Sequence, residues 1–308
     1  MLRRKPIVVV GSINIDLVSK AARIPVKGET VTGLDFQIHP GGKGANQAVA
    51  IARLGYPVRM IAKLGSDFFG TQLRAHLQDA GVDTAAVGET SGTSGSAVII
   101  VSPEGDNMII VNPGANAALT AEDIDANLDV VREAGMVLTQ LETPLETVER
   151  LAAICAQQDI PLLLDPAPAA ELPTGLIGQA RWFTPNETEA AFYSGGSNGA
   201  SPRETARLLL DQGWPAVVLK LGARGVYLAE QGGDELEIPS FPVRALDTTA
   251  AGDAFNGTFA TGMMLGMTPA DSARLGVAAA AISVTRHGAQ PSMPTMEEVE
   301  RMMKVPTL

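Results

Sequence analysis

Cysteine is nearly absent from this chain of 308 residues: Cys155 is its single thiol, which excludes an intramolecular disulfide. It lies in the apolar helical pattern Leu151–Cys155 and reads as a buried structural thiol, not a nucleophile. Histidine is almost as scarce. His39, His76 and His287 show no metal-ligand spacing, so a zinc centre has no basis. The one Gly-x-Ser-x-Gly match, Gly195–Gly199, follows a helical pattern and not a strand, so it is no nucleophile elbow to suggest a serine hydrolase. Positive charge is deficient too: 23 Lys and Arg against 34 Asp and Glu give a net charge of −11. That argues against nonspecific nucleic-acid binding, and an anionic substrate must be attracted by local groups and a metal. No apolar run reaches the length of a membrane span. Arg3, Arg4 and Lys5 precede Ile7–Val10, but that run is too short for the core of a signal peptide and reads as a first buried strand. Without a secretion signal, the sequons at Asn186 and Asn256 read as chance, and a cytoplasmic location is expected.

What is present is a globular composition. Hydrophobic residues make up 45%, and 32 glycines and 20 prolines are spread along the chain. Its length allows one or two domains. Strand and helix patterns alternate. Strands are expected at Ile7–Val10, Val58–Leu64, Val137–Leu141, Pro161–Leu164, Ala216–Leu221 and Gly225–Ala229. Helices are expected at Gly44–Leu54, Gly70–Ala80 and Leu145–Gln158. This rhythm predicts an α/β fold, a doubly wound, mainly parallel sheet with helices on both faces, whose ligands sit at the carboxyl ends of the strands. Two stretches break it. Ser96–Val101 and Met108–Val111 flank the turn Ser102–Asn107 as a hairpin, and Thr30–Ile38 is strand-like. Together they suggest a small antiparallel flap, an insertion and not an independent domain.

Four segments carry chemistry. Asp247–Gly257 sets small residues before Asp253 and a helix-like stretch, so converging backbone N–H groups and a helix N-terminus would face an anion beside a carboxylate. A base next to an anion hole is what phosphoryl transfer to a hydroxyl needs. The plainer reading of an isolated Gly-Asp is a helix N-cap. Gly41–Gln47 opens a helix with three glycines, and Lys43 and Asn46 offer polar heads. It is no Walker A loop, since Gly44 stands where Ser or Thr should follow the lysine, and Gln47 spoils a dinucleotide fingerprint. Asn14 and Asp16 follow the first strand and point the same way in an extended chain, as a grip for vicinal hydroxyls or as turn residues. Asn186 and Glu189, three apart at a helix start, suit hydrated Mg²⁺ or a capping box, and both can hold together.

Taken together, Gly41–Gln47, Asn186–Glu189 and Asp247–Gly257 resemble the signatures of the PfkB-type carbohydrate kinase family. Gly11–Asp16, Gly28–Gly33, Asn112–Leu119, Gln140–Glu142 and Arg286–Ser292 are similar to its ribose-phosphorylating members, in the same order over nearly the whole chain. The resemblance implies a single kinase domain over 1–308, with a small β-sheet lid from insertions at about 15–40 and 95–112. It also implies a homodimer clasped through the lids. The implied reaction is ATP-dependent phosphorylation of D-ribose at its 5-hydroxyl. Asn14, Asp16, Gly42, Lys43, Asn46 and Glu142 would contact the sugar, and Asp253 would be the base. Ala250, Ala251 and Gly252 would form the anion hole. Asn186, Lys220, Gly222 and Gly225 would lie along the nucleotide, with Gly252 at its phosphate end, and Glu189 would organise Mg²⁺. A monovalent cation, K⁺, would sit against Asp247, Thr249, Ser283, Arg286, Gly288 and Ser292, several through backbone carbonyls.

Two positions depart from the family pattern. Lys220 stands where Thr is frequent; it can reach a nucleotide phosphate or lie along the surface. Ser96 stands where an apolar residue is common; it could add a hydrogen bond to the sugar and blur pentose selection. Asp253 is expected at the ordinary carboxylate pKa near ~4 unless its surroundings perturb it, and so ionised at neutral pH. The rivals are a sibling kinase for 2-deoxyribose, a ketohexose, a ketodeoxy sugar acid or a nucleoside, a non-catalytic sugar-binding protein, and a nicotinamide dehydrogenase.

Overall fold

Ile7–Val10 (β1) is buried at every residue, and its alternation divides the core. Ile7 and Val9 face one apolar layer, Val8 and Val10 the other. The computed structural model describes residues 4–103, 106–196 and 200–306. Arg3 and two residues of the expected hairpin turn, Glu104 and Gly105, lie outside these. Further strands follow at Asn14–Ala21 (β2), Gly33–Gly41 (β3), Val58–Gly65 (β4), Val87–Thr90 (β5), Gly95–Val101 (β6) and Asn107–Asn112 (β7). Then come Met136–Thr139 (β8), Leu162–Leu164 (β9), Trp182–Phe183 (β10), Ala216–Lys220 (β11), Val226–Glu230 (β12) and Glu235–Ile238 (β13).

Among the described residues nine strands form one sheet in the order β13-β12-β11-β10-β9-β8-β1-β4-β5. It is parallel from β5 to β11 and antiparallel where β12 and β13 close its edge. The chain leaves β1 toward β4 and β5, then returns to β8 on the other side. The β1/β8 junction is therefore the topological switch point, where the strand ends open a crevice. The expected helices form at Lys43–Arg53, Phe68–Asp79 and Leu145–Gln157. Helices Ala251–Met264 and Pro269–Ser283 pack on the same layer as Lys43–Arg53, while Leu145–Gln157 and Pro202–Asp211 cover the other face.

The second sheet has the order β3-β2-β6-β7. The expected antiparallel flap is corrected at its centre, where β2 and β6 pair in parallel. The expected strand at Thr30–Ile38 begins only at Gly33 and continues to Gly41, so it runs straight into the glycine-rich loop. Register fixes the faces. Asn14 and Asp16 share one face with Val18, Ala97, Ile99 and Val111. Ser96 lies on the opposite face, in the row of Ile15 and Asn112, and accepts a hydrogen bond from Asn112 Nδ2 at 3.3 Å. Ser96 therefore points away from Asn14 and Asp16, the residues expected at the sugar, because odd and even positions of a strand point to opposite faces.

Candidate active site

The glycines of Gly41–Gln47 serve the chain's own packing. Gly42 has φ 88°, and a Cβ there would come within 2.7 Å of the Asn14 amide nitrogen. A Cβ on Gly44 would meet the backbone of Gly11 and Ser12 at 2.7 Å. The loop thus seats against the segment leaving β1, with Ala45 N–H donating to the Ser12 carbonyl at 2.9 Å. The close backbone approach expected toward a ligand is, at these two glycines, an approach to residues 11–14. Across the switch point, Glu142 Oε2 accepts from Ser12 Oγ at 2.6 Å and from Lys43 N at 3.2 Å. Asn14 Oδ1 accepts from Asn116 Nδ2 at 2.7 Å, leaving the Asn14 amide group as a free donor on the Asp16 face. Burial pushes the Asp16 carboxyl up to about 6, with the charge of Glu142 adding to it.

Ala250 caps the Ala251–Met264 helix in the left-handed region, φ 58°, a conformation open to few side chains larger than glycine. This kink turns the first amides of the helix to one side. Ala251 N–H still reaches the Thr248 carbonyl at 3.3 Å, and Ala254 N–H takes the Ala250 carbonyl at 2.9 Å. The amides of Gly252 and Asp253 between them have no backbone acceptor among the described residues. Of the amides expected to form the anion hole at Ala250–Gly252, that of Ala251 is thus engaged and that of Gly252 is open, with the Asp253 amide beside it.

Asp253 is 5% exposed. Its Oδ2 accepts from Asn46 Nδ2 at 3.0 Å and its Oδ1 from Gln47 Nε2 at 3.0 Å. Burial pushes its carboxyl up to about 6; Asp165 adds to this, while Lys43, Asn46 and Gln47 oppose it. The expected ordinary value near ~4 is corrected, since desolvation outweighs the donors that favour the charge. Burial works against the charge of Lys43 as well, but Asp253, Asp165, Glu142 and Glu189 more than offset it and push its pKa upward.

A cavity of about 820 Å³ reaches Lys43 and Asp253 at one end. Asn186, Lys220, Gly222, Gly225 and Gly252 line it, and Phe241, Val277 and Ala281 make part of its apolar wall. The expected nucleotide residues therefore share one space. Asn14, Asp16, Asn46 and Glu142 lie outside that lining; Asn46 bonds Asp253, and Glu142 accepts from the Lys43 amide, so these two adjoin the cavity through its lining residues. Asn186 and Glu189 form a reciprocal capping box: Asn186 Oδ1 accepts from Glu189 N at 2.9 Å, and Glu189 Oε2 accepts from Asn186 N at 2.7 Å. Glu189 Oε1 accepts from Asn186 Nδ2 at 2.8 Å, so each oxygen keeps a lone pair beside the cavity, enough for a hydrated Mg²⁺. Lys220 does not lie along the surface; its Nζ pairs with buried Asp165 Oδ1 at 2.7 Å.

Of the residues expected at the monovalent cation, contacts join Asp247, Thr249 and Gly288. Asp247 Oδ1 accepts from Thr249 N at 2.9 Å and Oδ2 from Gly288 N at 2.8 Å. Burial works in the other direction, but these bonds hold the Asp247 carboxyl below its ordinary range. The Ser283 and Ser292 hydroxyls turn back onto the Ala280 and Ala289 carbonyls, and the Arg286 guanidinium pairs with Glu298. What these residues offer is a carboxylate, hydroxyl lone pairs and main-chain oxygens, a hard donor set of low charge that fits K⁺. Among the described residues no group of three or more His, Cys, Asp or Glu side chains could hold a metal ion.

Four buried polar residues escaped the sequence reading of the site: Gln47, Asp165, Gln140 and Gln290. Gln140 Nε2 donates to Gln47 Oε1 at 2.7 Å, and Gln290 Nε2 to Asn46 Oδ1 at 3.1 Å. Asp165 had a signal, a carboxylate directly after a buried strand at the end where ligands sit. Gln290 lay inside the segment Arg286–Ser292, where its neighbours and not its own side chain drew a role.

The pfkB family carbohydrate kinase model matches residues 4–296. A ribokinase of Bacillus subtilis is 42% identical over 299 residues, covering 96% of this chain and 99% of its own length. A ribokinase of Haemophilus influenzae is 40% identical, covering 96% of this chain and 97% of its own. Among solved structures, Arabidopsis thaliana ribokinase complexed with ribose and ATP superposes with a TM-score of 0.93 at 33% identity, over 99% of this chain and 100% of that one. With the buried carboxylate, the free helix amides and the cavity already described, these likenesses identify the chain as a member of the pfkB family of carbohydrate kinases.

Proposed function

We propose that this chain transfers the γ-phosphoryl group of ATP to the 5-hydroxyl of D-ribose, giving ribose 5-phosphate and ADP. One observation carries the reading: Asp253 is buried at the wall of the cavity, gripped by Asn46 and Gln47 and adjoining unpaired helix amides. Asn14, Asp16, Gly42, Lys43, Asn46 and Glu142 would bind the sugar and bring its 5-hydroxyl to Asp253. The hydroxyl oxygen attacks the γ-phosphorus, its proton passes to Asp253, and the bond to the β–γ bridging oxygen breaks with its electron pair left on ADP. A carboxylate is a weak base, so proton transfer is late, and most of the acceleration comes from alignment and from the amides of Gly252 and Asp253 facing the transferring group.

Asn186, Gly222 and Gly225 would lie along the nucleotide. Asn186 and Glu189 would hold Mg²⁺ through its waters, and the bound ion supplies charge neutralisation on the phosphates. Asp247 and the oxygens of Thr249, Ser283, Arg286, Gly288 and Ser292 would hold K⁺, which steadies the loop carrying the amides.

The four-stranded sheet would act as the lid, with its Asn14–Asp16 face over the sugar. Its other face exposes Leu34, Phe36, Ile38, Val98, Met108 and Ile110, an apolar surface suited to a second copy of the chain and thus to a homodimer. No helix of the described residues is long and apolar enough to cross a membrane. A cytoplasmic site of action accords with the use of ATP.

The test is ADP release from ATP and Mg²⁺ with ribose, 2-deoxyribose, fructose, a ketodeoxy sugar acid and adenosine, each with and without K⁺. Fast turnover on ribose, raised by K⁺, is expected. Preference for another acceptor replaces the substrate and keeps the mechanism; silence on all five overturns the reading.

A further inference from the structure

Lys220 ends β11, and its backbone is tied to the next strand end by its N–H to the Pro185 carbonyl at 2.9 Å. Its side chain is 13% exposed, and its ammonium is fixed at 2.7 Å from Asp165 Oδ1. Asp165 is itself held from behind, because its Oδ2 accepts from Gln47 Nε2 at 2.9 Å. The same nitrogen of Gln47 reaches Asp253 Oδ1 at 3.0 Å. A side-chain carbon built on Gly252 would come within 3.4 Å of Lys220 Nζ. The ammonium therefore stands beside one of the two unpaired amides and joins Asp253 through Asp165 and Gln47. It has three N–H donors and spends one on Asp165. The others have no protein acceptor among the described residues, and the ammonium lines the cavity.

We propose that Lys220 is a catalytic cation for the transferring phosphoryl group, with Asp165 and Gln47 as the positioning residues that aim it. The assignment rests on the kinase reading above and goes beyond a contact to the nucleotide. As the bond to ADP breaks, negative charge spreads over the transferring group next to the Asp253 carboxylate. A fixed ammonium there offsets that charge and needs no reorganisation. Lys220 keeps its own protons throughout; the hydroxyl proton goes to Asp253, and the electron pair of the broken bond leaves with ADP. A pair that served packing alone would give stability and leave the rate untouched.

The test measures turnover together with calorimetric binding of ADP and of ADP with aluminium fluoride, a mimic of the transferring group. Lys220→Met is expected to lower kcat by about 100-fold and to weaken the aluminium fluoride complex by a similar factor, while ADP alone binds within about threefold. Lys220→Met leaves Asp165 buried without its partner, so the double variant Lys220→Met, Asp165→Asn controls for folding; it is expected to stay as slow as the single one. A folded double variant with wild-type kcat overturns the assignment, and so does an equal loss of ADP and ADP–aluminium fluoride binding. A wild-type chain that phosphorylates none of the five acceptors overturns the kinase reading instead, and this assignment with it.

Discussion

The side-chain amide of Gln47 lies 3.0 Å from Asp253 Oδ1, although 206 positions separate the two residues. Asn46, its neighbour, takes the other oxygen. One turn of the Lys43–Arg53 helix therefore orients the carboxylate of the Ala251–Met264 helix before any substrate arrives. Asp253→Asn should keep this seat, because its amide oxygen can still accept one of the two bonds. Turnover is expected to fall by roughly 10²–10⁴-fold while ribose binding, followed by calorimetry, survives. Near-normal turnover would remove Asp253 from the role of base.

Burial pushes the Asp253 carboxyl from its ordinary 3.8 up to about 6. The base must be ionised, so kcat should fall about tenfold per pH unit below about 6 and level off above it. Stability carries the opposite sign. A folded value above the unfolded one gives a contribution that is complete below 3.8 and is lost as the pH rises through about 6. Asp253→Asn does not titrate, so its stability relative to the wild type should grow between pH 4 and 7, by on the order of 3 kcal/mol at most. Urea unfolding of both proteins across that range measures it, and Asp16, also pushed up to about 6, cancels in the difference. A difference that stays constant with pH would contradict the burial cost assigned to Asp253.

Gly42→Ala places a Cβ 2.7 Å from the Asn14 amide nitrogen at φ 88°. Backbone cannot yield as a flexible side chain can, so thermal unfolding should show a loss of about 2–4 kcal/mol, with sugar affinity falling as the loop shifts. An alanine variant as stable as the wild type would show that the loop tolerates a wider approach.

Asp247→Asn keeps one oxygen but removes the charge that links the Thr249 and Gly288 amides. Activation by K⁺ should disappear, and kcat should fall by about tenfold through loosening of the helix amides. Titrating K⁺ into wild type and variant under steady-state conditions separates the two effects. Unchanged activation would move the cation away from Asp247.

On the small sheet, Phe36 is 59% and Ile110 64% exposed on the face turned away from Asn14. Phe36→Asp with Ile110→Asp should shift sedimentation from dimer to monomer and leave the sugar-facing residues untouched. Conversely, Ser96→Val should leave the preference for ribose over 2-deoxyribose unchanged, because Ser96 bonds to Asn112 on that outer face.

Much of this was written locally in the chain. The alternation of Ile7–Val10 with following helical patterns specified a buried parallel strand, and the small residues before Asp253 marked the start of a helix, because period and residue size act over a few positions. The capping box of Asn186 and Glu189 was equally legible, since its two bonds span three residues. Two-residue β10 escaped notice, as Trp182 and Phe183 become a strand only through pairing with β9 and β11. Tertiary structure alone decided which face of β6 carries Ser96, that Lys220 meets Asp165, and that Gln47 grips Asp253. It also decided the raised pKa of Asp253, because desolvation depends on everything packed around a group and not on its neighbours in sequence.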